Sequence, residues 1–466
     1  MRIARREFLR SGVAVAAVAA ADCGCARLTA SGPGKPAGGW DQVPGILARI
    51  VPPTFPNRDF SVLDYGAVAD GRTNCAPAFA AAIAACNKAG GGRVVVPGGR
   101  AFYLLNGPIQ LLSNVNLYLE EGSYIHFGTN AADYLPVVEV RYQGIRCKNY
   151  SPFVYAYQQE NIAITGAGTL VGQAYYWDAW EGLAAPDWST LQEMALQGVP
   201  VEQRVFGAGH HLRLTMFEPY ECKNILVEGV TFSQSPFWTL HPTFCTNVTI
   251  RNVTVLAGQS NDDGCDPDSC TDVLIDNCTF TTNDDNVSIK AGYASDAQGL
   301  PSCSNIIVRN CVATHTDWGG FTIGSNTACN VENVFFDNCV TKKSLSAFLI
   351  KSNRLNGGTV QNVFIRNSEA GECQQFLSLV TTYAAVSSGP APPLFNNVNL
   401  ESMVCANASA TAFFLEGDPA NPARYVSLAD IAVGTAGQAQ QVSNTLFVTS
   451  SNVTIDGKPV TIDGIL

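Results

Sequence analysis

The chain has 466 residues, 46% of them apolar and only 14% charged, with 39 acidic against 28 basic side chains and a formal net charge of −11. That balance offers no basic stripe to neutralise phosphates and excludes a general nucleic-acid binder. The low charge content with 42 glycines suits many short strands joined by turns better than a helical or a disordered chain.

Residues 1–30 read as an export signal of twin-arginine type: Arg5 and Arg6 precede Phe8 and Leu9, and an apolar stretch from Val13 to Ala21 follows. That stretch is far shorter than the roughly 20 residues a bilayer needs. The expectation is an exported protein, periplasmic or extracellular, with no membrane association in its mature form. Residues 31–57, rich in Pro and Gly, read as a linker or irregular lead-in, and the folded body is expected over 58–466. It opens with a strand, a turn, a short amphipathic helix capped near Asn74 and stopped at Gly90, and a second strand through Val94 to Val96. This helix is expected to cap the first rung of a solenoid.

A degenerate repeat follows. It begins with Asn or Asp, continues with residues alternating apolar and polar, and often ends in Asn with Cys or a small residue. Its starts include Asn114, Asn161, Asn224, Asn247, Asp272, Asn305, Asn333, Asn362 and Asn397. Each unit is too short to bury its own apolar face, so the units must stack, and period-two strands at this interval describe a parallel β-helix. The fold class is therefore all-β, a single-stranded parallel β-helix with a short N-terminal capping helix. The Asn at each start is expected to stack on its neighbours at a turn. The sequons at Asn247, Asn252, Asn277 and Asn286 coincide with rung turns or strands and are read as ladder positions, not glycosylation sites. Fourteen cysteines, from Cys75 to Cys405, show neither CxxC pairs nor His partners and are not a metal framework. They suit either a few disulfides or buried small positions in the solenoid interior.

Two acidic clusters interrupt the array: Asp262, Asp263, Asp266 and Asp268, then Asp284 and Asp285. Asp263 and Asp284 are 21 positions apart, close to one rung, which places the clusters about 4.8 Å apart along one groove. Like charges this close raise one another's pKa and are costly unless they perform chemistry or bind a cation. Carboxylates with divergent pKa values are what glycosidic hydrolysis requires: a protonated acid for the leaving oxygen and an ionised base for water. A polyanionic substrate would be repelled at long range by the overall charge, so a local basic cleft is also required.

The segments NDDGCDPDSC, TNDDNVSIKAG, WGGFTIGS from Trp318 and IKSNRLNGG from Ile350, with the lead-in DYGAVADGRTN, resemble in order the motifs of the polygalacturonase family of glycoside hydrolases, family 28. The resemblance covers nearly everything from Asp59 onward. It implies a right-handed, pectin-lyase-like solenoid and inverting hydrolysis of α-glycosidic bonds in a pectic polysaccharide, without metal or other cofactor. It further implies Asp284 as general acid, Asp263 and Asp285 as the pair that holds and deprotonates water, Asn261 as the residue orienting them, and Lys351 as a ligand of the substrate's carboxylate or a hydroxyl. Lys290 would add positive charge, and Tyr383 matches a substrate-binding tyrosine. Two departures stand out. Gly319 replaces the family's histidine, for which His315 is a candidate substitute, and Leu349 replaces the arginine of Arg-Ile-Lys, whose carboxylate Arg354 would have to reach instead. Trp318 offers either a face for a sugar ring or a packing side chain. These departures favour rhamnogalacturonan or xylogalacturonan at least as much as plain homogalacturonan.

Two other readings stay open at this point. One is a calcium-dependent lyase on the same scaffold; the other is a non-catalytic carbohydrate-binding solenoid. Long loops from Tyr175 to Val205 and from Tyr383 to Pro393 favour a closed, exo-acting pocket, and a monomer is expected.

Overall fold

The computed structural model describes residues 38–464, so the export signal falls outside the described residues. From Asp59 onward the chain winds into a right-handed parallel β-helix. One sheet face shows the register most simply: Ile162, Ile225, Val248, Val273, Ile306, Val334, Val363, Val398, Val426 and Val448 lie opposite one another on successive parallel strands. Inward positions of this kind form one continuous apolar core running the length of the solenoid. All nine of the expected starts take positive φ, between 56° and 64°. A short amide side chain tolerates that conformation at each bend. Their side chains form a ladder: Asn161 Nδ2 donates to Asn114 Oδ1 at 3.0 Å, Asn224 to Asn161 at 2.9 Å, Asn247 to Asn224 at 2.8 Å, and the series resumes from Asn305 to Asn397. A second ladder links Asn277 to Asn252 and Asn338 to Asn310. The sequon asparagines Asn247, Asn252 and Asn277 are thus committed to neighbouring rungs.

Helix α1 spans Val43–Leu47, and the capping helix α2 spans Ala76–Lys88. Asn74 Oδ1 accepts the Ala76 N–H, while Phe79, Ala82 and Ile83 of α2 are buried over the first rungs. The stretch expected as an irregular lead-in carries α1 and straps the outer face of the solenoid. Trp40 packs on Phe335 and Phe364, and Arg49 makes a bidentate pair with Asp272. All fourteen described cysteines are buried and free. They serve as small core residues, and the disulfide alternative is not realised.

The segment expected as a long loop from Tyr175 to Val205 holds an 18-residue helix, α3, over Ala179–Leu196. With an antiparallel hairpin, Val138–Tyr142 against Ile145–Asn149, it packs as a separate apolar cluster on the outside of the solenoid. That cluster includes Phe237 and Trp238 from the rung beneath, next to the acidic groove. The helix was illegible because Pro186 interrupts it and its apolar residues face a surface module, not a rung. No helix among the described residues is long and apolar enough to cross a membrane.

Candidate active site

Cys265 lies opposite Val287, and Gly264 N donates to the Asp285 carbonyl. The register is therefore 22 residues, not 21, and the rung partner of Asp263 is Asp285; Asp284 sits one position earlier, at the turn. Asp263, Asp284 and Asp285 nonetheless converge, with a carboxylate oxygen from each within 4.8 Å of the others.

Asp262 anchors this turn and does not enter the groove. Fully buried, its carboxyl accepts the backbone N–H groups of Gln259 at 2.7 Å, Asn283 at 2.9 Å and Asp284 at 2.8 Å. Burial pushes it up to about 6 even though those three donors favour the charged form.

The adjacent pair is biased in opposite directions. Asp284 keeps part of its surface open to the groove, as an acid that must meet a substrate requires. Its desolvated surroundings, with Asp263 and Asp285 beside it, push it up to about 8. For Asp285 burial also favours the neutral acid, but Lys351 and then Lys290 outweigh it and hold the carboxyl below its ordinary value. Lys351 Nζ lies 2.8 Å from Asp285 Oδ2, which also accepts from Ser288 Oγ, while Oδ1 accepts the Gly319 N–H at 3.0 Å. Every oxygen of Asp285 is thus occupied, whereas Asp263 keeps Oδ1 without a partner and offers Oδ2 to Lys290 at 3.1 Å.

Lys290 also lies 3.2 Å from Asp266 and 4.3 Å from the centre of the Trp238 ring. Burial, with Asp263 next to it, drives Asp266 well above the usual carboxylate range. With Asp266 and Asp284 biased toward the neutral acid, two ammonium groups face the two remaining carboxylates. Of the other two nearby aspartates, Asp262 is held by backbone N–H donors and Asp268 by Arg141, so the two lysines offset the charge left at the groove floor and lessen the local repulsion that the net charge implied. The two lysines pair directly with the cluster, Lys290 with Asp263 and Asp266 and Lys351 with Asp285.

The other expected residues divide. Tyr383 joins the cluster: its ring lies 4.7 Å from Lys351 Nζ. Asn261 joins it from the preceding turn, with Nδ2 3.5 Å from Asp284 Oδ2. Trp318 is half-buried beside Gly319, its backbone held by Thr316 Oγ1 and by Leu345 and Ser346. Arg354 is already engaged, with two nitrogens on Asp418 at 2.7 and 2.6 Å, and so ties down a loop instead of presenting a free clamp. His315 turns its ring to Asp317 at 3.7 Å, and its carbonyl accepts from Asn286 Nδ2 at 3.1 Å. Gly319 has a local reason: a Cβ there would overlap Thr322 Oγ1 and stand 2.8 Å from Asp285 Oδ1, with Leu349 at 3.3 Å. Any side chain at 319 would collide with the carboxylate that its N–H supports.

Sequence reasoning missed the basic residues behind and beside the groove. Arg213 contacts Asn261. His241 stands between Glu218 at 3.7 Å and Asp268 at 3.6 Å; burial would lower it, yet these two carboxylates hold it up to about 9. Arg141 of the hairpin completes this buried network, pairing with Asp268 at 2.9 Å. Asp268 is therefore part of the support behind the groove. No repeat pattern marks these residues.

A carboxylic acid beside a carboxylate on the lateral face of a parallel β-helix is the pairing that a glycoside hydrolase uses. Known proteins supply the family. The model described as glycosyl hydrolases family 28 matches residues 213–453, and one described as rhamnogalacturonase A/epimerase, pectate lyase-like, matches residues 60–124. A solved exopolygalacturonase from Thermotoga maritima is 34% identical, with a TM-score of 0.85 over 91% of this chain and 98% of that one. A probable polygalacturonase of Vitis vinifera is 25% identical over 400 residues, 82% of this chain and 75% of its own. An exo-poly-alpha-D-galacturonosidase of Dickeya chrysanthemi is 23% identical over 86% of this chain and 75% of its own. The chain belongs to family 28 of the glycosyl hydrolases, and the lyase and the non-catalytic readings are set aside.

Proposed function

We propose that this enzyme hydrolyses the α-linked galacturonate chain of pectin by single displacement, removing sugar from a chain end. The observation that carries the reading is the opposite bias of two adjacent aspartates: Asp284 is pushed up to about 8, while Lys351 holds Asp285 down. At neutral pH the first can protonate a leaving oxygen while the second stays ionised. The free Oδ1 of Asp263 is the acceptor for a water proton, and Asp285, with all its donors, holds the water's other side. Lys351 and Tyr383, edging the cluster, supply a cation and a ring face for a uronate. The exo mode is supported by the similarity to the Thermotoga maritima exopolygalacturonase. The twin-arginine start supports export, and a monomer suffices because every residue of the site comes from one chain.

One observation favours a second reading. The buried Leu349 beside Lys351 leaves the carboxylate clamp thin, which favours rhamnogalacturonan or xylogalacturonan as the substrate. The test of the function is release of reducing ends by the mature protein and by Asp284→Asn from polygalacturonate, rhamnogalacturonan and xylogalacturonan, with ultraviolet absorbance followed in parallel. Release that vanishes in the variant, without unsaturated product, supports the reading and names the substrate. No release from any of the three overturns it.

A further inference from the structure

Arg213 takes no part in the scheme above, yet it is 5% exposed and its guanidinium is aimed at the groove's edge. Nη1 donates to the carbonyls of Ser260 at 2.6 Å and Pro236 at 3.2 Å, Nη2 donates to Asn261 Oδ1 at 2.7 Å, and the group lies 5.2 Å from the centre of the Phe237 ring. Asn261 Oδ1 also accepts from Ser260 Oγ at 3.3 Å. The amide's other end, Nδ2, faces Asp284 Oδ2. Phe237 in turn stacks on Tyr142 of the hairpin, at 4.7 Å between ring centres, so Arg213 links the external module to the acid.

An asparagine amide is two-faced. Its N–H end favours an ionised neighbour, and its carbonyl end favours a protonated one. Arginine has donors and no acceptor, so a guanidinium on the carbonyl end forbids the flip: turning the amide would set two donors against each other.

We propose that Arg213 is a positioning residue for hydrolysis, locking the Asn261 amide so that it meets Asp284 only as a donor. The charged and titratable groups around Asp284 are Asp263, Asp285, Lys351 and Tyr383; those around Arg213 are Asp178 at the start of α3 and Tyr142. None of these can replace the lock, because none reaches the Asn261 carbonyl. Without Arg213 the amide turns its carbonyl to the protonated acid, which then holds its proton more tightly and donates it more slowly.

The inference rests on Asp284 being the acid, and its test separates the two ideas. The carboxylic-acid infrared band that Asp284→Asn removes is titrated in the wild type, Arg213→Gln, Arg213→Lys, Asn261→Ala and the Arg213→Gln, Asn261→Ala double variant, beside kcat against pH on polygalacturonate. In Arg213→Gln the midpoint, and with it the alkaline limb of kcat, should rise by about half to one pH unit. The double variant should match Asn261→Ala alone, and Arg213→Lys should shift less than Arg213→Gln. An unmoved midpoint in a folded Arg213→Gln protein, or a double variant shifted beyond Asn261→Ala, overturns the proposal. Should Arg213→Gln not fold, Arg213→Met replaces it in the same titration, and an unmoved midpoint in the folded Arg213→Met protein overturns the proposal. A wild type inactive on every glycan defeats the functional reading while the infrared titration still decides the lock.

Discussion

Replacing Lys351 by Met keeps the length of the side chain and deletes the ammonium 2.8 Å from Asp285 Oδ2, where both side chains are at most 4% exposed. At an effective dielectric of about 20 the lost attraction is about 6 kcal/mol. Breaking one partner of a buried pair typically costs about 3–5 kcal/mol once the stranded group relaxes or takes up a proton. At roughly 2.1 cal/mol/K per residue of unfolding entropy, the chain of residues 38–464 loses about 3–6 °C in Tm at pH 7. The pH dependence carries the argument. In the wild type Asp285 is held below its ordinary value, so its contribution to stability is present above the unfolded value, about 3.9, and is lost as pH falls through the folded one. In Lys351→Met only Lys290 and the Gly319 N–H remain against burial and Asp285 rises, so the variant is deficient at pH 7 and the deficit shrinks as pH falls toward 4. Activity should drop about 10²–10⁴-fold, because the carboxyl that holds the water becomes protonated. Thermal unfolding from pH 4 to 8 with kcat and KM measures both effects. A deficit that stays constant or grows toward acid would refute the ion pair as the device that keeps Asp285 ionised.

For the wild type, kcat/KM should fall as pH rises through about 8, where Asp284 loses the proton it must donate; a pH–rate profile on polygalacturonate checks this limb, and a flat profile up to about pH 9 would contradict it. Asp262→Ala strands three buried N–H groups at about 1–3 kcal/mol each and frees the Asp284 backbone, so Tm and kcat should fall together, while an unchanged kcat would remove Asp262 from the account. Gly319→His, which restores the family's residue, should lower activity, because its Cβ collides with Thr322 and the Asp285 carboxylate; a gain in kcat would contradict the packing described.

The solenoid was legible because its geometry repeats. A left-handed bend needs Asn or Asp at each rung, and the observed positive φ at Asn161, Asn224 and Asn247 is the conformation that this residue choice anticipates. The acid pair was legible for the same reason, since two acidic turns one rung apart must share a groove. The register slipped by one, to 22, because bridging at Cys265 and Val287, not the acidic run itself, sets the alignment. Arg354 looked like a clamp because its partner, Asp418, lies 64 residues away in no repeated motif. Arg141 went unseen because it reaches the groove by tertiary packing of an inserted hairpin, and Arg213 and His241 because they lie on stretches that carry no repeat start, Arg213 just before the strand at Phe217 and His241 between the bridging residues Leu240 and Thr243.

The stereochemistry of the first turnover is the most direct test of the central claim, that Asp284 protonates the leaving oxygen while Asp263 and Asp285 deliver water in a single displacement. Proton NMR of an oligogalacturonate digest, read before mutarotation, should show the β-anomer of the new reducing end appearing first. The α-anomer appearing first would mean a covalent intermediate on one of these aspartates and would contradict the roles assigned to Asp263 and Asp285.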